Sequence, residues 1–224
     1  MEISDVQLES SIEIKKGDSL IVVDIQNDFL PGGALAVEKG DEIIPGANDL
    51  IERFYKKDYP IVLTQDWHPP SHASFASAHL GKNPLDPIEA PGIGPVLWPD
   101  HCVQGTQGAS FASALKTTMA HLIIRKGYHK TIDSYSAFLE NDKTTPTGLQ
   151  GYLKSLGVKR VFTCGLALDY CVFNSAVDAK TAGFDVVYVL DLTRAVGSPE
   201  GIISTALETM VDKKIQFVNH SNII

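Results

Sequence analysis

Short apolar runs rich in β-branched residues alternate with candidate helices along most of the chain. The apolar runs span residues 20–25, 61–64, 122–124, 161–163, 186–190 and 215–218. The candidate helices span residues 41–56, 109–118, 147–156, 169–181 and 199–213. Repeated strand, helix and strand units predict an α/β fold, a three-layer α/β/α sandwich around a mainly parallel sheet of about six strands. Several runs are apolar without alternation, as expected of strands that are buried on both faces.

The chain length limits the number of domains. A chain of 224 residues is long enough for one sizeable α/β domain but leaves little room for a second. We therefore predict a single domain over residues 1–224, with a polar N-terminal extension at residues 1–17. The extension lacks the basic start and apolar core of a signal peptide, and no later segment is apolar for long enough to span a bilayer. The expected location is the cytoplasm.

Charge and cysteine content narrow the choice of partners. The formal net charge is −8, and no predicted helix carries a cluster of lysines or arginines that could follow a phosphate backbone. Nucleic acid and anionic membranes are therefore not expected partners. The three cysteines are an odd number in a chain too large to need a disulfide framework, which favours free thiols. Cys164 lies inside an apolar run, and we expect it to be structural.

One segment, residues 66–108, interrupts the alternation of strands and helices. It is rich in Pro, Gly and His, and at about forty residues it is too long for a simple connection unless it has a function. A disordered insert is the alternative interpretation. The aromatic residues Trp67, Phe75 and Trp98 argue against disorder, because disordered loops carry few such residues.

Polar residues follow the predicted strands at the points where the strands end. Asp24 closes the first strand, Asp66 and His68 follow the second, and Lys126 ends the third. The turn after the fourth strand enters a predicted helix that carries Cys171 in its first turn. Open parallel sheets bind ligands beyond the carboxyl ends of their strands, so we expect these side chains to converge on one site.

Cys171 is the candidate nucleophile of that site. A helix N-terminus offers free N–H groups and a partial positive charge, which favour a thiolate over a thiol, and Lys126 would add to this effect. The same N–H groups could hold the oxyanion of a tetrahedral intermediate. Asp24 would accept the thiol proton and deliver it to a departing amine. These residue types predict covalent acyl transfer from an amide.

Asp66 and His68 are candidate metal ligands. In an extended chain successive side chains point to opposite faces, so these two residues, which are two positions apart, point the same way. A third ligand must come from elsewhere, and His101 is the first choice, with His72 as an alternative. Two imidazoles and a carboxylate, with water completing the shell, suit one divalent ion of zinc, iron or manganese.

Five sequence blocks, taken together, resemble the nicotinamidases of the isochorismatase-like hydrolases. They read VDIQNDF at residues 23–29, QDWHP at 65–69, WPDHC at 98–102, RKG at 125–127 and GLALDYCV at 165–172. The blocks occur in the order of the family and extend from the first strand to the last third of the chain. One departure is Leu168, where members of the family often carry threonine.

The resemblance implies roles for individual residues. It implies a catalytic triad of Asp24, Lys126 and Cys171. It implies an oxyanion hole made by the backbone N–H groups of Ala167 and Cys171, with a cis peptide between Leu166 and Ala167. It implies a divalent metal, with zinc preferred, held by Asp66, His68 and His101. It also implies a substrate pocket that has Phe29 and Trp98 as aromatic walls, with Leu35 and Tyr135 nearby.

The implied reaction is hydrolysis of nicotinamide to nicotinate and ammonia through a cysteine thioester, in NAD salvage. The substrate would be a small pyridine carboxamide whose ring nitrogen faces the metal. One alternative is a related cysteine amidohydrolase that acts on a ureido or carbamoyl compound without metal. Another is a non-catalytic scaffold that has kept the fold. Whether the chain forms a homo-oligomer stays open.

Overall fold

Six parallel strands form the single sheet of the protein. The computed structural model describes residues 1–224, and its strands lie in the order β3-β2-β1-β4-β5-β6. Every neighbouring pair is parallel. The strands are β1 Asp18–Val23, β2 Ile61–Asp66, β3 Leu122–Lys126, β4 Arg160–Leu166, β5 Asp185–Arg194 and β6 Gln216–Val218. The helices are α1 Ile44–Lys56, α2 Leu149–Ser155, α3 Phe173–Thr181 and α4 Ile202–Asp212.

Successive residues of β1 point into two separate apolar cores. Leu20 and Val22 pack in a core that includes Leu50 and Phe54 of α1. Ile21 packs on the other face, in a core to which α2, α3 and α4 all contribute. Strands alternate their side chains between faces, so a strand covered on both sides must be apolar throughout. The predicted three-layer α/β/α sandwich is confirmed.

Helix α1 shows how the helical layer is specified. Its buried residues recur at the three- and four-residue spacing of one helix face: Ile44, Ala47, Leu50, Ile51 and Phe54. A proline occupies the first turn, where its missing N–H costs nothing. Burial of this apolar stripe against the sheet, rather than helix propensity alone, holds the helix in place.

The predicted helix over residues 109–118 is wrong. The only helical turn nearby is a short 3₁₀ turn, Thr117–Met119. The main chain here pairs with the turn after β1 instead: the Ala112 N–H donates to Ile25 O, and the Gln26 side chain donates to Ala109 O. Main-chain groups engaged by a distant segment are not free to close the i to i−4 bonds of a helix.

The long segment at residues 66–108 is ordered by contacts along its length. Isolated β-bridges join His68 to Val103 and Phe75 to Trp98. Phe75 is completely buried, and Trp98 is 3% exposed. The alternative of a disordered insert is therefore wrong, and the segment covers the carboxyl end of the sheet next to β2 and β3.

The N-terminal residues lie against the last strand. A β-bridge joins Leu8 to Phe217, and the Ile14 N–H donates to Ile224 O at 2.8 Å. Ile12 and Ile14 are buried although their neighbours are polar and exposed. None of the helices combines the length and the apolar character that crossing a bilayer requires.

Gly165 of β4 leaves no room for a side chain against β1, and its replacement should destabilise the fold. Its φ is +118°, and an added Cβ would overlap Val23 O. We expect Gly165→Ala to lower the free energy of unfolding by about 2 to 6 kcal/mol, because strained backbone and overpacking each cost about 1 to 3 kcal/mol. Urea unfolding followed by circular dichroism measures the change.

Gly151→Ala in α2 is the matched control. Outside the neighbouring backbone of the helix itself, an added Cβ at this position would meet open space, and its φ is not positive. Alanine should stabilise the helix by about 0.5 to 1 kcal/mol. Equal losses of stability in the two variants would contradict a special role for Gly165.

Candidate active site

The direction in which the chain adds strands to the sheet changes between β1 and β4. From β1 the chain builds the sheet outward through β2 and β3, and it then returns to the other side of β1 with β4. Such a switch point leaves a crevice at the carboxyl ends of the strands. Asp24 follows β1, Asp66 and Lys126 end β2 and β3 as register partners, and Ala167 follows β4. The polar strand ends therefore meet at one place.

A buried ammonium group lies at the centre of this crevice. Lys126 is completely buried, and its Nζ lies 2.8 Å from Asp24 Oδ2 and 3.0 Å from Asp66 Oδ1. It also donates to Ser134 O at 2.9 Å and lies 3.5 Å from Cys171 Sγ. Burial would lower the pKa of Lys126, but the two carboxylates raise it well above its usual value. The group therefore stays a cation.

One oxygen of the Asp24 carboxylate accepts a hydrogen bond from Thr64, and the other forms the ion pair with Lys126. Thr64 Oγ1 donates to Asp24 Oδ1 at 2.6 Å, and the Asp24 N–H donates back to the same hydroxyl at 3.1 Å. The residue adopts a φ of +47°, which is uncommon outside glycine. Burial raises the pKa of Asp24 above its usual value even though Lys126 opposes the shift. A carboxylate with a raised pKa accepts a proton more readily.

Cys171 lies in a one-turn π-helix, Leu168–Val172, that leads into α3. Burial raises the pKa of its thiol well above the usual value, and this effect outweighs the nearby Lys126. This direction favours a thiol over the thiolate expected at a helix N-terminus, so attack by this sulfur would need an adjacent base that takes its proton.

The peptide between Leu166 and Ala167 is cis, as predicted. The N–H groups of Tyr170 and Val172 both donate to Ala167 O. Ala167 and Cys171 line the same cavity, so their N–H groups remain the predicted oxyanion donors. The Leu168 side chain packs in the apolar core beneath α3, where a threonine hydroxyl would need a partner.

Asp66, His68 and His101 form a buried group that could hold a divalent metal ion. Asp66 Oδ2 lies 3.2 Å from His68 Nε2 and 3.5 Å from His101 Nε2. Each imidazole uses its other nitrogen on a carbonyl: His68 Nδ1 lies 2.9 Å from Gly127 O, and His101 Nδ1 lies 2.8 Å from Pro99 O. A carbonyl only accepts, so Nδ1 carries the hydrogen, and a neutral ring presents a free Nε2.

The state of His68 fits a cation at this place. Its Nε2 is buried without a hydrogen-bond partner. Burial disfavours a charged ring, but the Asp66 carboxylate raises the pKa of His68 to about 9. The site therefore attracts positive charge, which a proton or a metal ion supplies.

His72 is not free to act as a ligand. Its Nδ1 lies 2.7 Å from Ser74 Oγ, and its Nε2 lies 2.8 Å from His129 O. The ring packs on His68 with 4.4 Å between centroids. A second group, His68, His72 and Asp133, has the spacing of a metal site, but its use would break these bonds. His72 instead fixes the loop that follows β3.

A cavity of about 30 Å³ opens onto Cys171. All four predicted pocket residues line it: Phe29, Leu35, Trp98 and Tyr135. The Trp98 Nε1–H donates to Tyr135 Oη at 3.0 Å, and the Tyr135 hydroxyl donates to Gly94 O at 2.8 Å. This chain of bonds fixes the Trp98 ring relative to Tyr135.

Three lining residues, Asp133, Tyr170 and Val196, were not predicted from the sequence. Asp133 is 2% exposed, its Oδ2 has no hydrogen-bond partner, and its Oδ1 lies 3.9 Å from His68 Nε2. Its position two residues before Tyr135, in the polar stretch after β3, is the one signal in the sequence that could have indicated it.

Comparison with known proteins identifies the family. A family model for the isochorismatase domain matches residues 18–219. A nicotinamidase of Acinetobacter baylyi is 48% identical over 217 residues, which cover 97% of this chain and 99% of the relative. The solved structure of an Acinetobacter baumanii nicotinamidase and pyrazinamidase has a TM-score of 0.88 at 45% identity, covering 93% of this chain and 98% of that one.

A second solved structure is a pyrazinamidase of Pyrococcus horikoshii in complex with zinc. It has a TM-score of 0.74 at 40% identity and covers 91% of this chain and 99% of that one. The family model and these relatives all extend over the residues that form the site. The chain therefore belongs to the isochorismatase domain family, within which it is similar to nicotinamidases over nearly its whole length.

Proposed function

We propose that this protein hydrolyses nicotinamide to nicotinate and ammonia. The observation that carries the proposal is the position of Lys126 Nζ, 2.8 Å from Asp24 Oδ2 and 3.5 Å from Cys171 Sγ, beside an aromatic pocket. A base, a cation and a thiol in contact are the set that amide cleavage by a cysteine requires. The relatives named as nicotinamidases support the choice of substrate.

The first half-reaction forms a thioester. Cys171 Sγ attacks the carboxamide carbon while Asp24 accepts the thiol proton. The N–H groups of Ala167 and Cys171 hold the negative oxygen of the tetrahedral intermediate. Asp24 then delivers the proton to the amide nitrogen, the C–N bond breaks, and ammonia leaves with the acyl group bound to sulfur.

The second half-reaction hydrolyses the thioester. Water attacks the thioester carbon while Asp24, now unprotonated, accepts a proton from it. The C–S bond breaks, the proton returns to the sulfur of Cys171, and the product departs as nicotinic acid, which loses its proton to solvent to give nicotinate. Lys126 keeps its charge throughout and stabilises the Asp24 carboxylate whenever that group is unprotonated.

Asp66, His68 and His101 would hold the metal, and zinc is the first choice. Two imidazole nitrogens and one carboxylate oxygen suit zinc, with iron and manganese as alternatives, and the zinc complex of the Pyrococcus horikoshii relative supports the choice. When bound, the metal supplies a Lewis acid for the ring nitrogen of the substrate. Phe29 and Trp98 would enclose the ring, with Leu35 and Tyr135 beside it.

The reaction would place the enzyme in NAD salvage in the cytoplasm. We propose that residues 1–224 act as one domain, since the first residues pack on the last strand.

A metal-independent hydrolase of a ureido or carbamoyl compound remains the competing function. Such a hydrolase would not need the buried group of Asp66, His68 and His101. For this reason we prefer a pyridine carboxamide as the substrate.

Removal of the nucleophile should abolish turnover. We expect Cys171→Ala to lower kcat for nicotinamide by about 1000-fold or more, because loss of the nucleophile removes the covalent route. Ammonia release measures the rate. Cys164→Ala is the control, since Cys164 is buried in an apolar core and burial raises its pKa to about 12. Equal rates for Cys171→Ala and wild type would disprove the proposal.

Loss of the base should affect the chemical step. Asp24→Asn keeps the shape of the side chain but cannot accept the thiol proton, and kcat should fall by about 100- to 10,000-fold. Steady-state kinetics with nicotinamide measures the effect. Asp18→Asn is the matched control, because Asp18 is a buried carboxylate at the other end of β1 that pairs with Arg160. A similar fall in kcat for both variants would point to lost stability instead of lost base.

The metal should matter only for substrates with a ring nitrogen. We expect His101→Ala to lower kcat/KM for nicotinamide by about 10- to 100-fold, while benzamide, which lacks the nitrogen, keeps its rate. Elemental analysis should find one divalent ion in wild type and less in the variant. His121→Ala, whose ring bonds the Ile61 N–H far from the site, is the control. Equal losses for both amides would contradict the role of the ring nitrogen.

A further inference from the structure

The turn after β1 carries a carboxylate that the proposed reaction does not use. Asp28 belongs to the 3₁₀ turn Asn27–Phe29, and its side chain is partly buried. Its Oδ2 accepts the Cys102 N–H at 2.7 Å, and its Oδ1 accepts the Ala34 N–H at 3.3 Å. One side chain thus joins the segment that follows His101 to the segment that leads to the pocket.

Cys102 is the residue through which this contact reaches two metal ligands. Its N–H belongs to the peptide that links it to His101, so the bond to Asp28 fixes the plane of that peptide. Its carbonyl accepts the His68 N–H at 3.0 Å. Cys102 also has a φ of +46°, an uncommon conformation that needs support from its neighbours.

We propose that Asp28 is a positioning residue for the metal group, acting through Cys102 on His101 and His68. The proposal rests on the metal site of the proposed function. Main-chain bonds to Asp28 and His68 hold Cys102 from both sides, and they set the direction in which the His101 ring leaves the chain. Groups that orient metal ligands in this way contribute to the affinity of the site without touching the ion.

Gly108 gives independent evidence that the Asp28 carboxylate needs its present place. The Asp28 N–H donates to Gly108 O at 3.0 Å, and an added Cβ at Gly108 would overlap the Asp28 carboxylate. Gly108 does not have a positive φ, so its backbone would accept alanine. The close contact with Asp28 is therefore what requires a glycine at this position.

The test measures the affinity of metal-free protein for zinc alone, by competition with a chromophoric chelator. We expect Asp28→Ala to weaken zinc binding by about 10- to 100-fold. Gly108→Ala should weaken it in the same direction, because its methyl group displaces the carboxylate. In the double variant Gly108→Ala should add nothing to Asp28→Ala, because no carboxylate is left to displace.

Asn27→Ala is the matched control from the same turn. Asn27 Nδ2 donates to Gln107 O at 2.8 Å. Neither of these two residues is adjacent in the sequence to a proposed metal ligand. Zinc affinity of this variant should stay within about 2-fold of wild type, since distant surface contacts contribute little. The rate at which iodoacetamide alkylates Cys171 should be unchanged in all four variants, which shows that the fold and the triad are intact.

Two results would overturn the proposal: wild-type zinc affinity in Asp28→Ala, or fully additive effects in the double variant. If Asp28→Ala does not fold, Gly108→Ala decides alone, since it keeps every polar side chain, and unchanged affinity would overturn the role of Asp28. Nicotinamide turnover is not part of the readout. A wild-type protein that binds zinc without hydrolysing nicotinamide would contradict the proposed function, while the zinc affinities still decide the role of Asp28.

Discussion

The ion contacts of Lys126 are the interaction on which the site depends. A buried ammonium is costly unless charged partners replace its water, and here Asp24 and Asp66 do so at 2.8 and 3.0 Å. The two carboxylates serve different purposes, because Asp24 faces the thiol and Asp66 faces the imidazoles. Lys126 therefore holds the proposed base and the proposed metal ligands at a fixed distance from each other.

Parallel pairing makes this arrangement possible. Asp66 and Lys126 are register partners at the ends of β2 and β3, so the backbone alone places their side chains together. β1 and β4 flank each other at the switch point, and Gly165 allows their backbones to come close. The proposed triad is thus assembled from two strand ends and one helical turn, and its geometry follows from the sheet and not from flexible loops.

The sequence indicated those parts of the site that depend on local pattern. Apolar runs without alternation gave the buried strands, and polar residues at their ends gave Asp24, Asp66 and Lys126. What it could not give depends on contacts between distant segments. The main chain at residues 109–112 pairs with the turn after β1 and so does not form a helix. Burial by segments far apart in the chain raises the pKa of the Cys171 thiol, and Asp133 enters the site through the fold of its loop.

The charges of the buried groups give a reason for the proposed metal and the proposed triad to share one site. Lys126 pairs with the buried carboxylates of Asp24 and Asp66, and a third buried carboxylate, that of Asp133, lies near His68. A divalent cation held by the two imidazoles and Asp66 would offset the two negative charges of these three carboxylates that Lys126 leaves unbalanced. The thiol must be neutral in the same scheme, because a thiolate would add a further negative charge to a site already rich in carboxylates. Attack by sulfur and proton transfer to Asp24 then leave the net charge of the buried site unchanged, which keeps the desolvation cost of the step low.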